Sequence, residues 1–125
     1  MKLHHIAVIC SDYAVSKQFY TEVLGFEILR EAYRAERQSW KLDLGLNGDY
    51  ILELFSFPET PPRASRPERC GLRHLAFGVD DVALKRDRLL QDGLICEELR
   101  TDEYTGKLFF FSRDPDDLPL EFYEL

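Results

Sequence analysis

Cysteine is scarce. Cys10, Cys70 and Cys96 are the only three in 125 residues. They are unevenly spaced and never form a Cys-x-x-Cys pair, which excludes a disulfide framework and a thiolate zinc site. Cys10 falls inside an alternating apolar run, where it reads as a small buried hydrophobe rather than a reactive thiol. Also missing is any apolar run near the roughly 20 residues of a membrane span, and Lys2 is not followed by the apolar core of a secretory signal. A cytoplasmic location is therefore expected. Basic charge is in short supply, with 16 Lys and Arg against 23 Asp and Glu for a net charge of −7. No Lys/Arg cluster stands out, so nucleic acid and anionic membrane are poor partners and a small-molecule substrate is the better one. The chain does have an apolar content of 45%, enough for one compact domain over residues 1–125 with a buried core.

The chain reads as two similar passages. Lys2 to Cys10 alternates like a strand. Ser11 or Asp12 can then cap a helix whose apolar residues Val15, Phe19, Tyr20, Val23 and Leu24 recur at helical spacing until Gly25. Strands follow at Phe26 to Tyr33, Ser39 to Leu46 and Tyr50 to Phe57, the last two joined by Asn47-Gly48, a strong hairpin signal. Residues 58–70 form a linker: Pro58 to Arg69 holds four prolines and no apolar periodicity. The pattern then returns. A strand at Leu72 to Val79, a helix at Asp81 to Asp92, and strands at Leu94 to Arg100, Lys107 to Arg113 and Leu118 to Glu124 complete it. The reading is α+β: two tandem βαβββ modules, about 1–57 and 71–125, forming a curved mixed sheet with helices on its convex face. A copy of about 55 residues is marginal alone, so the modules should share a core or pair with a second chain.

The repetition extends to chemistry. His5 precedes Glu53 by 48 positions, and His74 precedes Glu121 by 47. Strand parity puts His5 with Leu3, Ala7 and Ile9, and His74 with Leu72, Ala76 and Gly78. Glu53 shares its face with Ile51 and Phe55, and Glu121 with Pro119 and Tyr123; bulky aliphatics occupy the opposite face each time. Taken singly, a strand histidine is more often a hydrogen-bonded structural residue than a ligand, and Glu121 near the C-terminus reads equally well as solvated. A carboxylate between apolar neighbours nonetheless needs a cationic or metal partner once buried. Two imidazoles and two carboxylates at matched positions suit a divalent metal, and His5, Glu53, His74 and Glu121 are the candidate ligands. His4 lies on the wrong face and is assigned a structural role. Mixed imidazole and carboxylate ligation suits nickel or zinc first, with Co, Mn or Fe(II) as further options.

Several stretches resemble the glyoxalase, bleomycin-resistance and extradiol-dioxygenase superfamily, also called vicinal oxygen chelate proteins. They are His5-Ile6-Ala7-Val8, Phe19-Tyr20 followed by Leu24-Gly25-Phe26, Arg73-His74-Leu75-Ala76-Phe77 with Asp80 after it, and Asp114-Pro115-Asp116 leading into Leu120-Glu121. The resemblance covers the whole chain. Its bacterial glyoxalase I members use His, Glu, His and Glu as ligands, and those positions fall on His5, Glu53, His74 and Glu121. This implies a divalent-metal-dependent lyase or isomerase, similar to lactoylglutathione lyase, acting on the hemithioacetal of a 2-oxoaldehyde and a thiol or a related vicinal-oxygen substrate. Glu121 is implied as the base that removes a proton beside a carbonyl and returns it to the neighbouring carbon, with Glu53 as its symmetric partner. Short length and the glyoxalase resemblance also imply a homodimer, with the cavity inside one chain or shared between two. The Arg and Asn that hold glutathione in bacterial glyoxalase I are here Ile9 and Phe57, which implies poor use of the glutathione adduct. Two other classes stay open: a metal-free small-molecule binder of the bleomycin-resistance type, and another metalloenzyme of the superfamily such as an Fe(II) dioxygenase or a thiol transferase.

Overall fold

Eight strands and two α-helices, described for all 125 residues by a computed structural model, fall into two compact units, Met1–Pro62 and Arg63–Leu125. In the first, strand β1 (Ile6–Cys10) leads through helix α1 (Tyr13–Gln18) to β2 (Glu27–Arg34), β3 (Ser39–Leu46) and β4 (Asp49–Ser56). The sheet order is β1-β4-β3-β2, with β1 parallel to β4 and the other pairs antiparallel. The second unit repeats this with β5 (Leu75–Val79), α2 (Val82–Gln91), β6 (Arg100–Thr101), β7 (Leu108–Arg113) and β8 (Pro119–Glu124), in the order β5-β8-β7-β6. The fold is thus α+β, two tandem βαβββ modules, each with its own four-stranded mixed sheet.

Local chemistry explains the boundaries. Asp12 and Asp81 sit in extended conformation ahead of the helices, and their carboxylates accept from Val15 N at 3.1 Å and Leu84 N at 2.8 Å, satisfying amides that have no helical partner. Asn47 (φ 53°) and Gly48 (φ 83°) are both left-handed, the two-residue turn that matches the twist of the flanking strands β3 and β4. Leu42, Leu44, Leu52 and Leu54 are essentially inaccessible, as are Phe110, Leu120 and Phe122 in the second unit. Each such side chain contributes about 1.5–3 kcal/mol on burial.

Four elements differ from the sequence-based expectation. The helix after Asp12 is α-helical only to Gln18 and continues as a π-helical turn over Phe19–Val23, where Leu24 N donates to Phe19 O at 3.1 Å. Here the Thr21 hydroxyl takes the Lys17 carbonyl at 2.8 Å, a side-chain bond that competes with helical pairing. Strands β1 and β5 begin later, at Ile6 and Leu75, which leaves His5 and His74 just ahead of them. The strand expected over Leu94 to Arg100 is reduced to Arg100–Thr101. Its earlier residues make scattered bonds instead: Glu97 N donates to Phe111 O at 2.8 Å, and the Glu97 carbonyl is taken by Arg86 Nε at 2.7 Å. No helix is long and apolar enough to cross a membrane.

Candidate metal centre

Strand pairing carries the candidate residues into contact within each unit. Register sets Ala7 beside Glu53 in the first sheet and Ala76 beside Glu121 in the second, so a histidine two residues earlier on the same face reaches the carboxylate. His5 Nε2 lies 3.3 Å from Glu53 Oε2, and His74 Nε2 lies 3.1 Å from Glu121 Oε2. The expected face assignment holds: Leu52, Leu54, Leu120 and Phe122 are buried, whereas Ile51, Glu53, Phe55, Pro119, Glu121 and Tyr123 are half-buried. Each sheet therefore has one buried face and one partly open face, and both carboxylates lie on the open one.

Both pairs have the spacing of neighbouring ligands. With ion-to-donor distances of about 2.0–2.2 Å, two donors on one ion stand about 3.0 Å apart at a right angle and about 3.4 Å apart at the tetrahedral angle. The observed 3.1 and 3.3 Å fall in that interval. The same separation serves a plain imidazole to carboxylate hydrogen bond when the nitrogen carries its proton. Within neither unit do three or more His, Cys, Asp or Glu side chains gather as a metal cage. Each unit brings one imidazole and one carboxylate into contact.

The surroundings of the two pairs differ. In the first unit Asp43 of β3 lies directly opposite Glu53, placing two carboxylates side by side. Lys41 resolves this: its Nζ is 2.5 Å from both Asp43 Oδ1 and Glu53 Oε1. Burial works against the Lys41 charge, but the bonds to Asp43 and Glu53 outweigh it and hold the ammonium above its ordinary range. Burial likewise opposes the Asp43 charge, and the bonds from Lys41 and Tyr50 overcome it, holding that carboxyl below the usual range. Tyr50 stacks on the His5 ring at a centroid distance of 4.9 Å and donates its hydroxyl to Asp43 at 3.0 Å. Burial, then that bond, push the phenol upward. His4, assigned only a structural role, meets His5 through their Nδ1 atoms at 2.7 Å. When His5 donates this bond, its Nε2 lone pair faces Glu53 and is available to a metal.

In the second unit the residue opposite Glu121 is Phe111, whose ring meets His74 edge to face at 5.3 Å. His74 Nδ1 is buried without a hydrogen-bond partner, so the imidazole has one unsatisfied nitrogen and one aimed at the carboxylate. Lys41, Asp43, Tyr50 and the orienting contact of His4 were not among the candidates drawn from sequence. A signal was there for two of them, because Lys41 and Asp43 alternate with the buried Leu42 and Leu44 and therefore share the face of Glu53.

A family model described as the Glyoxalase/Bleomycin resistance protein/Dioxygenase superfamily matches residues 2–122. The chain is 58% identical over 123 residues to YaeR of Escherichia coli K12, covering 98% of this chain and 95% of that protein. It is 57% identical over 122 residues to YwkD of Bacillus subtilis 168, with the same coverage of 98% and 95%. Among solved structures, a glyoxalase family protein from Enterococcus faecalis superposes with a TM-score of 0.91 at 46% identity, over 98% of this chain and 97% of that one.

Proposed function

We propose that this chain, which belongs to the glyoxalase/bleomycin resistance protein/dioxygenase superfamily, is a divalent-metal-dependent lyase or isomerase of the glyoxalase I type. Its ligands are His5, Glu53, His74 and Glu121, and it works as a cytoplasmic homodimer on a small molecule with two adjacent oxygens. The observation that carries this reading is the repeated imidazole and carboxylate pair, at 3.3 and 3.1 Å at corresponding positions of both modules. Nickel or zinc suits such a donor set, with Co, Mn or Fe(II) as alternatives. When bound, the ion supplies Lewis-acid stabilisation of the negative charge that develops on the substrate oxygens.

The protein's own groups divide the remaining work. Glu53 already has one oxygen committed to Lys41 at 2.5 Å, so it is fitted to hold a position. Glu121 has no ammonium beside it and faces Phe111 across the strand pair, which fits it to take a proton from carbon and return it to the neighbouring carbon. Half-buried Phe55, Phe57, Phe111 and Tyr123 reduce the water around both carboxylates. Ile9 and Phe57 stand where a glutathione grip is expected, favouring a substrate with a smaller or more apolar thiol, or none.

The test is metal analysis of chelator-treated and reloaded protein, followed by assays of methylglyoxal with several thiols. About one ion per chain is expected, and Glu121→Gln should keep some metal while losing roughly 10²- to 10⁴-fold in rate. Undiminished turnover by Glu121→Gln would refute the assignment of the base. Folded protein that takes up no metal would favour a ligand-binding role instead, a reading supported by the Lys41 ammonium already beside Glu53.

A further inference from the structure

An acidic chain has gathered its arginines in one place. Six of its eleven, Arg63, Arg66, Arg69, Arg73, Arg100 and Arg113, line a cavity of about 330 Å³ within the second unit, and His74 lines the same cavity. Three acids also face it, and each is paired: Glu68 with Arg73 at 3.1 Å, Glu97 with Arg100 at 2.8 Å and Asp117 with Arg113 at 2.7 Å. Arg63 donates to the carbonyls of Leu72 at 2.6 Å and Arg73 at 3.1 Å, fastening the linker ahead of His74. Arg66 and Arg69 have no ion pair or hydrogen bond. Six guanidinium groups against three carboxylates leave an excess of three positive charges in a chain whose net charge is −7.

We propose that this cavity binds the unreacting end of the substrate, and that this end is a small oxyanion dianion, a phosphate or a pair of carboxylates. The inference rests on the reading of His74 and Glu121 as part of the reaction centre and names the substrate class for it. Guanidinium forks match phosphate and carboxylate in geometry, and Arg66 and Arg69 offer donors that the protein leaves unused. Clustered cations without counter-charge repel one another, and an anion relieves that repulsion. Position adds the functional link. The cavity is lined by His74, whose Nε2 is 3.1 Å from Glu121, so a ligand anchored on the arginines extends toward the carboxylate assigned as base. Its volume suits a metabolite-sized molecule.

The experiment is calorimetric titration of the chelator-treated, metal-free protein at low salt with inorganic phosphate, malonate and the neutral malonamide. Saturable binding of phosphate or malonate, weakened by added salt, is expected, and malonamide should give none. The stronger of the two anions distinguishes a phosphate end from a dicarboxylate end. Arg66→Gln/Arg69→Gln should weaken binding at least tenfold while the circular dichroism spectrum is unchanged, and Arg37→Gln, outside the cavity, should bind as wild type. Absence of saturable binding, equal binding of malonamide, or full affinity in the double variant would overturn the proposal. Metal uptake by the same preparations keeps the two readings apart. Normal uptake without anion binding refutes only the cavity assignment, whereas anion binding without metal uptake supports the cavity and refutes the metalloenzyme.

Discussion

Replacing Lys41 with methionine keeps the apolar stem and removes the charge that separates two carboxylates. Asp43 and Glu53 are directly opposed across β3 and β4, with side chains 12% and 14% exposed, and Lys41 is 2.5 Å from each. Removing one partner from a fully buried ion pair costs about 3–5 kcal/mol. Residual exposure, 27% for the lysine side chain, lets water screen part of this, and a loss of about 2 kcal/mol at neutral pH is expected. Urea unfolding of the metal-free protein reads it as a midpoint lowered by about 1 M for a slope near 2 kcal/mol/M. The pH dependence has a definite sign. Asp43 is held below the usual carboxylate range, so its contribution is present above its unfolded value and is lost as pH falls through its folded value. Lys41→Met lacks that contribution, and the two stability curves should converge in acid. Asp43→Asn added to Lys41→Met should recover much of the loss by ending the repulsion. A loss below about 0.5 kcal/mol with parallel pH curves would refute the assignment of Lys41 as the counter-charge.

His5→Ala and His74→Ala should each abolish most divalent-metal binding, measured by ion titration. His4→Ala removes the Nδ1 contact that orients His5 and an edge-to-face contact with Tyr50, so it should cost about tenfold; equal losses from His4→Ala and His5→Ala would contradict the separation of ligand from support. Asp81→Ala removes the acceptor for Leu84 N and should cost about 1 kcal/mol in urea unfolding, with Asp81→Asn close to wild type.

The fold was legible because alternation in the strands and helical spacing after Asp12 and Asp81 agree with the turns at Gly25, Gly48 and Gly93. Ser39–Leu46 was bounded correctly since both of its ends are marked by residues in left-handed conformation, Gln38 and Asn47. The segment before Arg100 was misread for a physical reason. Its apolar residues Ile95 and Leu99 mimic strand alternation, yet they are exposed, and the backbone is held by Arg86 and Ser112 rather than by a ladder. The arginine cluster was invisible for a similar reason. Arg63, Arg66, Arg69 and Arg73 are spread over eleven positions, and Arg100 and Arg113 reach them only through the folding of the second unit.

Duplication explains why the candidate residues stand out in the sequence, and divergence between the copies explains what does not. Each module retains one histidine ahead of its first strand and one glutamate in its last, on faces fixed by strand parity. What surrounds them is no longer shared. The positions that hold Lys41 and Asp43 in β3 are held by Phe109 and Phe111 in β7, since Lys41 and Phe109 oppose Phe55 and Tyr123 while Asp43 and Phe111 oppose the two glutamates. One carboxylate is therefore fixed by an ammonium and the other faces aromatic rings. Equivalent carboxylates in unlike settings give an asymmetric pair, and under the proposed function Glu53 is suited to hold and Glu121 to exchange a proton. Exchanging the settings tests this. Phe109→Lys/Phe111→Asp should bring an ammonium against Glu121 and depress turnover far more than metal binding, whereas equal losses in both would show that the asymmetry has no part in the chemistry.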